Sequence, residues 1–110
     1  MTADPPPFDD LPGAHWIRAG LDDLANKRDT IAACLVLIGS PKLKRCGLPV
    51  EVTDEAALGA DYHLYEMLGR DHGNEAHSRY NALLQELVSF ERALEHRVSR
   101  RAAEHQAISN

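Results

Sequence analysis

Apolar residues recur at three- and four-residue steps over most of the chain, the period of a helix buried along one side. In the first third, Ile17, Leu21, Leu24, Ile31, Leu35 and Ile38 form one stripe, which predicts a helix over about 13–38. Arg28 interrupts the stripe, and Gly20 is a candidate kink because glycine weakens a helix interior. Gly39 can take the left-handed cap conformation, and Pro41 follows where a helix does not continue, so the helix is expected to stop there. The run ACLVLIG also has the look of a short buried strand, but the stripe stays in phase from Ile17, which favours helix. Residues 39–52, GSPKLKRCGLPVEV, carry Gly39, Pro41, Gly47 and Pro49 and are expected to form an irregular crossover.

A second helix is predicted over about 54–70. Thr53 is a suitable N-cap, and Asp54 and Glu55 suit the positive end of the helix dipole. Leu58, Tyr62, Tyr65 and Leu68 or Met67 are expected on its buried side, and GRDHGN reads as the following turn. The third helix is the strongest expectation, over about 75–107, with neither Gly nor Pro inside and Asn74 as its N-cap. Ala76, Tyr80, Leu83, Leu87, Leu94, Val98 and Ala102 share one face, with Leu84 and Phe90 on its flanks. From Tyr80 to Val98 the spacing approaches a coiled-coil heptad. The expected fold is therefore all-α, with three main helices and a long last one. Residues 1–12 are expected to form a flexible, acidic, proline-rich arm ahead of a single helical domain over 13–110. Pro5, Pro6 and Pro7 favour an extended conformation, and the arm is expected to pack Phe8 or Leu11 on the core rather than serve as a docking peptide.

Composition agrees with helices. Hydrophobic residues make up 44% but aromatics only 5%, so Leu, Ala, Ile and Val must supply the core. A net charge of −5 argues against a generic nucleic-acid coat or a binder of anionic membranes. No apolar run is long enough to span a bilayer, and MTADPPPFDDLPG has neither the basic nor the apolar part of a secretory leader, so a cytoplasmic protein is expected. Cys34 and Cys46 are too few for a zinc ribbon, lack CxxC spacing and are expected to be reduced.

Candidate chemistry concentrates in DYHLYEMLGRDHGNEAHSRY, residues 61–80, which hold three of the six histidines. Imidazole and carboxylate are ordinary ligands for zinc, iron or nickel, and Asp71, His72 and His77 would meet if the turn folded back on the third helix. The spacing is against a larger site. His63 is expected to face solvent beside Glu66, no single helix face holds both His72 and His77, and neither HExxH nor ExxH occurs. A polar corner without metal is expected, with Asp71/His72/His77 as the alternative, and no cofactor is assigned. No catalytic residue is assigned either: GxSxG is missing, and IGSPKLK lacks phosphate-loop spacing. Cys34 reads as packing; Cys46, beside Lys44 and Arg45, reads as the more reactive thiol. Lys42, Lys44 and Arg45 are expected to be solvated charge near a helix C-terminus. Arg97, Arg100 and Arg101 offer a second alternative, a nucleic-acid-binding regulator, although Glu91, Glu95 and Glu104 interleave with them.

The expected function is binding rather than catalysis, as a small soluble accessory or regulatory protein. A helix from 75 to 107 would be roughly 50 Å long, whereas a domain of this size is only about 35 Å across. Tyr80, Leu83, Leu87, Phe90, Leu94 and Val98 are therefore the expected interface, with a homodimer or a larger protein partner covering them.

Overall fold

The computed structural model, which describes residues 8–50, 52 and 54–109, is all-α. Its helices are α1 (Ala14–Ala25), α2 (Ile31–Arg45), α3 (Asp54–Ala57), α4 (Ala60–His72) and α5 (Ala76–Ser109), with a 3-10 turn at Gly73–Glu75 before α5. The all-α class and the long C-terminal helix are as the apolar pattern predicts. The expectations for Pro5, Pro6, Pro7 and the Thr53 cap lie outside the described residues.

The span 13–38 is not one helix. α1 ends at Ala25, where Lys27 takes the left-handed conformation at φ 58°. Lys27 N–H donates to the Leu24 carbonyl and Arg28 N–H to the Asp23 carbonyl, the paired bonds of a Schellman cap. Thr30 then starts α2: its hydroxyl oxygen accepts from Ala33 N–H and its hydroxyl donates to Asp23 at 2.6 Å. Arg28 also pairs with Asp22 and Asp23, so the turn is tied to the end of α1 by side chains as well as backbone.

Helix α2 runs through Gly39 and Pro41, which were expected to end it. Pro41 removes one backbone donor, but the next turn buries Leu43 completely, and that burial keeps the helix going. The true stop is Gly47, at φ 93°, with Gly47 N–H on the Lys44 carbonyl and Leu48 N–H on the Leu43 carbonyl. The irregular crossover is thereby shortened to the residues after Cys46. Gly20 marks close approach rather than a kink: a Cβ there would lie 2.3 Å from the Ala32 carbonyl oxygen, so α1 and α2 touch backbone to backbone.

The expected second helix is divided at Gly59 (φ 76°) into α3 and α4, and of its expected buried side Leu68 and Met67 pack on the core while the other three residues do not. Ala60, Leu64 and Leu68 face the core, whereas Leu58, Tyr62 and Tyr65 are turned outward. Asn74 lies within the 3-10 turn rather than capping α5. After that turn the chain folds back, bringing the rings of Tyr65 and Tyr80 to 5.4 Å.

Leu83, Leu87, Phe90 and Leu94 of α5 complete the core with Ile17, Leu35, Val36, Leu43, Leu64 and Leu68. The N-terminal segment is fastened across α5: Phe8 is buried edge-on against Phe90, and Asp10 makes a two-pronged bond to Arg97 at 2.7 Å. Trp16 on α1 donates its indole N–H to Glu86. The 34 residues of α5 set the long axis of a molecule 56 × 27 × 21 Å. Val98 is the last of the described side chains of α5 to pack on the core, and residues 99–103 are exposed. Among the described residues, no helix is long and apolar enough to cross a membrane.

Candidate functional site

The expected interface on α5 serves the protein's own interior. Leu83, Leu87, Phe90 and Leu94 are buried, and Tyr80 and Val98 are half-buried against the same core. Helices α2 and α4 and the N-terminal segment cover this face, and the division of the expected first helix lets α1 and α2 fold over one another beside it. The outer face of α5 carries Asn81, Leu84, Gln85, Val88, Ser89 and Arg92 around a shallow depression.

Among the described residues, most of the exposed large apolar side chains gather at the start of α4, with Val88 on the outer face of α5 standing apart from them. Leu58 is 78% exposed, Tyr62 68% and Tyr65 41%. Tyr62 and Tyr65 are three residues apart on α4 and so share a side, and Leu58 sits in the turn that leads into it. Tyr65 is braced edge-on by Tyr80 and His77. Glu55, Asp61 and Glu66, all exposed, accompany these residues in sequence.

The polar corner after α4 does not gather ligands. His77 pairs with Asn81 and stands against Tyr65, and Asp71, His72 and His77 do not converge. The basic end of α5 is also less available than the sequence suggests. Arg97 is held by Asp10, which lowers the Asp10 carboxyl to about 2 through the Arg97 hydrogen bonds and charge. Arg100 and Arg101, with His96, Ala93 and Leu11, line a shallow groove beside that clamp. Lys42 pairs with Glu95, and Lys44 donates to the Val52 carbonyl, so two members of the small basic cluster are structural.

Both cysteines are buried and unbonded. Cys46, expected to be the more reactive, is pushed up instead: burial and Glu95 outweigh Arg45 and Lys42. Burial and the Asp29 charge push the Cys34 thiol up to about 11. Cys34 also belongs to a group that the sequence did not suggest. The turn after α1, the first turn of α2 and α4 bring Asp29, Cys34 and His63 together, with one ligand atom from each within 4.8 Å of the others. His63, expected in solvent beside Glu66, points at Asp29, its Nε2 lying 2.7 and 3.0 Å from the two carboxylate oxygens. The position of Leu64 and Leu68 on the core would have revealed this, because it turns His63 toward α2.

Comparison of the chain with protein families, with curated proteins and with solved structures finds no match.

Proposed function

We infer that the protein works by binding another protein, and that the outer side of α4 is where it does so. The observation that carries this reading is the exposure of Leu58, Tyr62 and Tyr65. Tyr62 and Tyr65 stand a three-residue step apart on α4, a spacing with which a helix offers anchors to an apolar groove, and Leu58 flanks them from the preceding turn. Tyrosine is a common anchor because its ring buries large area while its hydroxyl stays satisfied by water or a rim group.

The partner that fits is an apolar groove with a basic rim. Glu55, Asp61 and Glu66 accompany the three anchors, so a second copy of this chain would set like charges opposite each other. Burying what remains exposed of the anchors would supply roughly 3–6 kcal/mol. Association itself costs about 4–15 kcal/mol. The rim charges must therefore contribute, and the complex is expected to be weak to moderate and salt-dependent.

Leu58→Asp combined with Tyr62→Asp tests the reading. Both side chains are exposed, so the fold should change by less than about 0.5 kcal/mol. Wild-type protein on a resin should retain a partner from the native host that the double variant loses, and both proteins should be monomeric by light scattering. Identical retention by the two proteins would end this reading. A wild-type dimer that the double variant converts to monomer would replace the foreign partner by a second copy.

A further inference from the structure

We propose that Asp29, Cys34 and His63 form a binding site for a zinc ion where the turn after α1 meets α2 and α4. The three ligand atoms lie within 4.8 Å of one another, and no other such group occurs among the described residues. Thiolate, imidazole and carboxylate are the three side-chain ligand types of zinc.

Each residue is positioned by something rigid. Asp29 precedes the Thr30 cap of α2, in a turn locked by the bonds of Thr30 and Arg28 to Asp23. Cys34 is in the first turn of α2 and fully buried, so its Sγ rises from the core toward the other two. His63 stands on α4 one turn before Met67, whose Sδ is 3.8 Å from Cys34 Sγ. The thioether closes the inner side of the site, while His63 and Asp29, 39% and 68% exposed, leave the outer side open to water.

A four-coordinate ion is within reach of the three donors after small side-chain movements. Donor atoms at about 2.0–2.3 Å from a tetrahedral zinc stand about 3.3–3.8 Å from each other. His63 Nε2 and Asp29 are closer than that, at 2.7 Å, so the pair must open by roughly half an ångström, which two partly exposed side chains can do. A hydrogen-bonded pair between the turn and α4 would account for His63 and Asp29 alone. It does not account for a thiol set beneath both.

The charges balance as well. Zinc with one thiolate and one carboxylate is neutral, which suits a half-buried place. On binding, the Cys34 S–H bond breaks, a sulfur–zinc bond forms and the proton leaves to solvent. His63 exchanges the Nε2 proton it shares with Asp29 through solvent for one on Nδ1 and so frees the Nε2 lone pair, Asp29 supplies a carboxylate oxygen, and a water takes the fourth position. The soft sulfur selects against magnesium and calcium, and the carboxylate favours zinc over monovalent copper.

The full chain, stripped by chelator, is titrated with Co²⁺ and then with Zn²⁺. One cobalt per chain should bind and show a thiolate-to-cobalt charge-transfer band, zinc should displace it, and zinc should raise the melting temperature. Cys34→Ser should remove the charge-transfer band. Asp29→Asn and His63→Gln should each weaken zinc binding by about tenfold or more, whereas His72→Ala/His77→Ala should bind as wild type does. Asp29 is exposed, so the Asn variant keeps the test valid if the Cys34 variant fails to fold. The proposal is overturned if wild type takes up no cobalt, if it does so without the thiolate band, or if Asp29→Asn and His63→Gln bind zinc as wild type does. Binding of Cu⁺ without binding of Zn²⁺ would overturn the assignment of the metal.

Discussion

Ser40 sits in the interior of α2, 1% exposed, and its Oγ has no hydrogen-bond partner among the described residues. A buried hydroxyl without a partner loses its water and gains nothing in return. Alanine at this position removes that loss and is also the better helix former. Ser40→Ala is therefore expected to raise stability by about 1 kcal/mol, read as a higher urea midpoint at unchanged slope. A lower midpoint would show that the hydroxyl is bonded in solution. Single residues also decided what could be read in advance. Lys27 ends α1 in a conformation usually given to glycine, so no glycine or proline announced the stop. Thr30, a hydroxyl ahead of an apolar run, marks the restart, but the stripe from Ile17 to Ile38 stays in phase across it and hides the break.

At the scale of helices, two glycines inside helical segments make opposite predictions. Gly20 on α1 lies against α2, with the Ala32 carbonyl oxygen and a Val36 methyl within 2.4 Å of where a Cβ would be. The contact on one side is backbone and cannot rotate away. Gly20→Ala is expected to push α1 off α2 and cost about 1–3 kcal/mol or more. Gly69 on α4 has nothing within 4 Å of its Cβ position, so Gly69→Ala should stabilise the protein by up to about 1 kcal/mol through helix propensity. Thermal melts of the two variants should move in opposite directions; a Gly20→Ala melt at or above that of wild type would contradict the crossing of α1 on α2. Helix α4 shows why its orientation was not legible. Leu58, Tyr62 and Tyr65 make one acceptable apolar stripe, and Ala60, Leu64 and Leu68 make another. Periodicity cannot choose between them; packing on α2 does. The Asp29–Cys34–His63 group was hidden for the same reason, since Asp29 and His63 are 34 residues apart and meet only through that choice.

For the molecule as a whole, the N-terminal segment is a strap across α5. Asp10 titrates lower in the folded protein than in an unfolded chain, because Arg97 bonds favour its charged form. Its contribution is complete above the usual carboxylate value of 3.8 and is lost as pH falls toward about 2. Asp10 is mostly exposed, so the effect is screened and modest. Asp10→Asn should lower the melting temperature at neutral pH, and the gap to wild type should close through that acid window and shrink in high salt. A gap that stays constant from pH 5 to pH 2 would mean that the strap is held by Phe8 alone.

The bond between Asp10 and Arg97 joins positions 87 residues apart. During synthesis the chain emerges in order, so α1 and α2 can pair early, but Phe8 has no place to go until Phe90 has left the ribosome. Contacts of such long sequence separation close late and slow folding. Until then Phe8, Ile17 and the inner side of α2 stay partly uncovered, and a nascent chain in that state is exposed to aggregation. Chains halted before α5 should accordingly be protease-sensitive and should need a chaperone to stay in solution, whereas chains released after Arg97 should close without one.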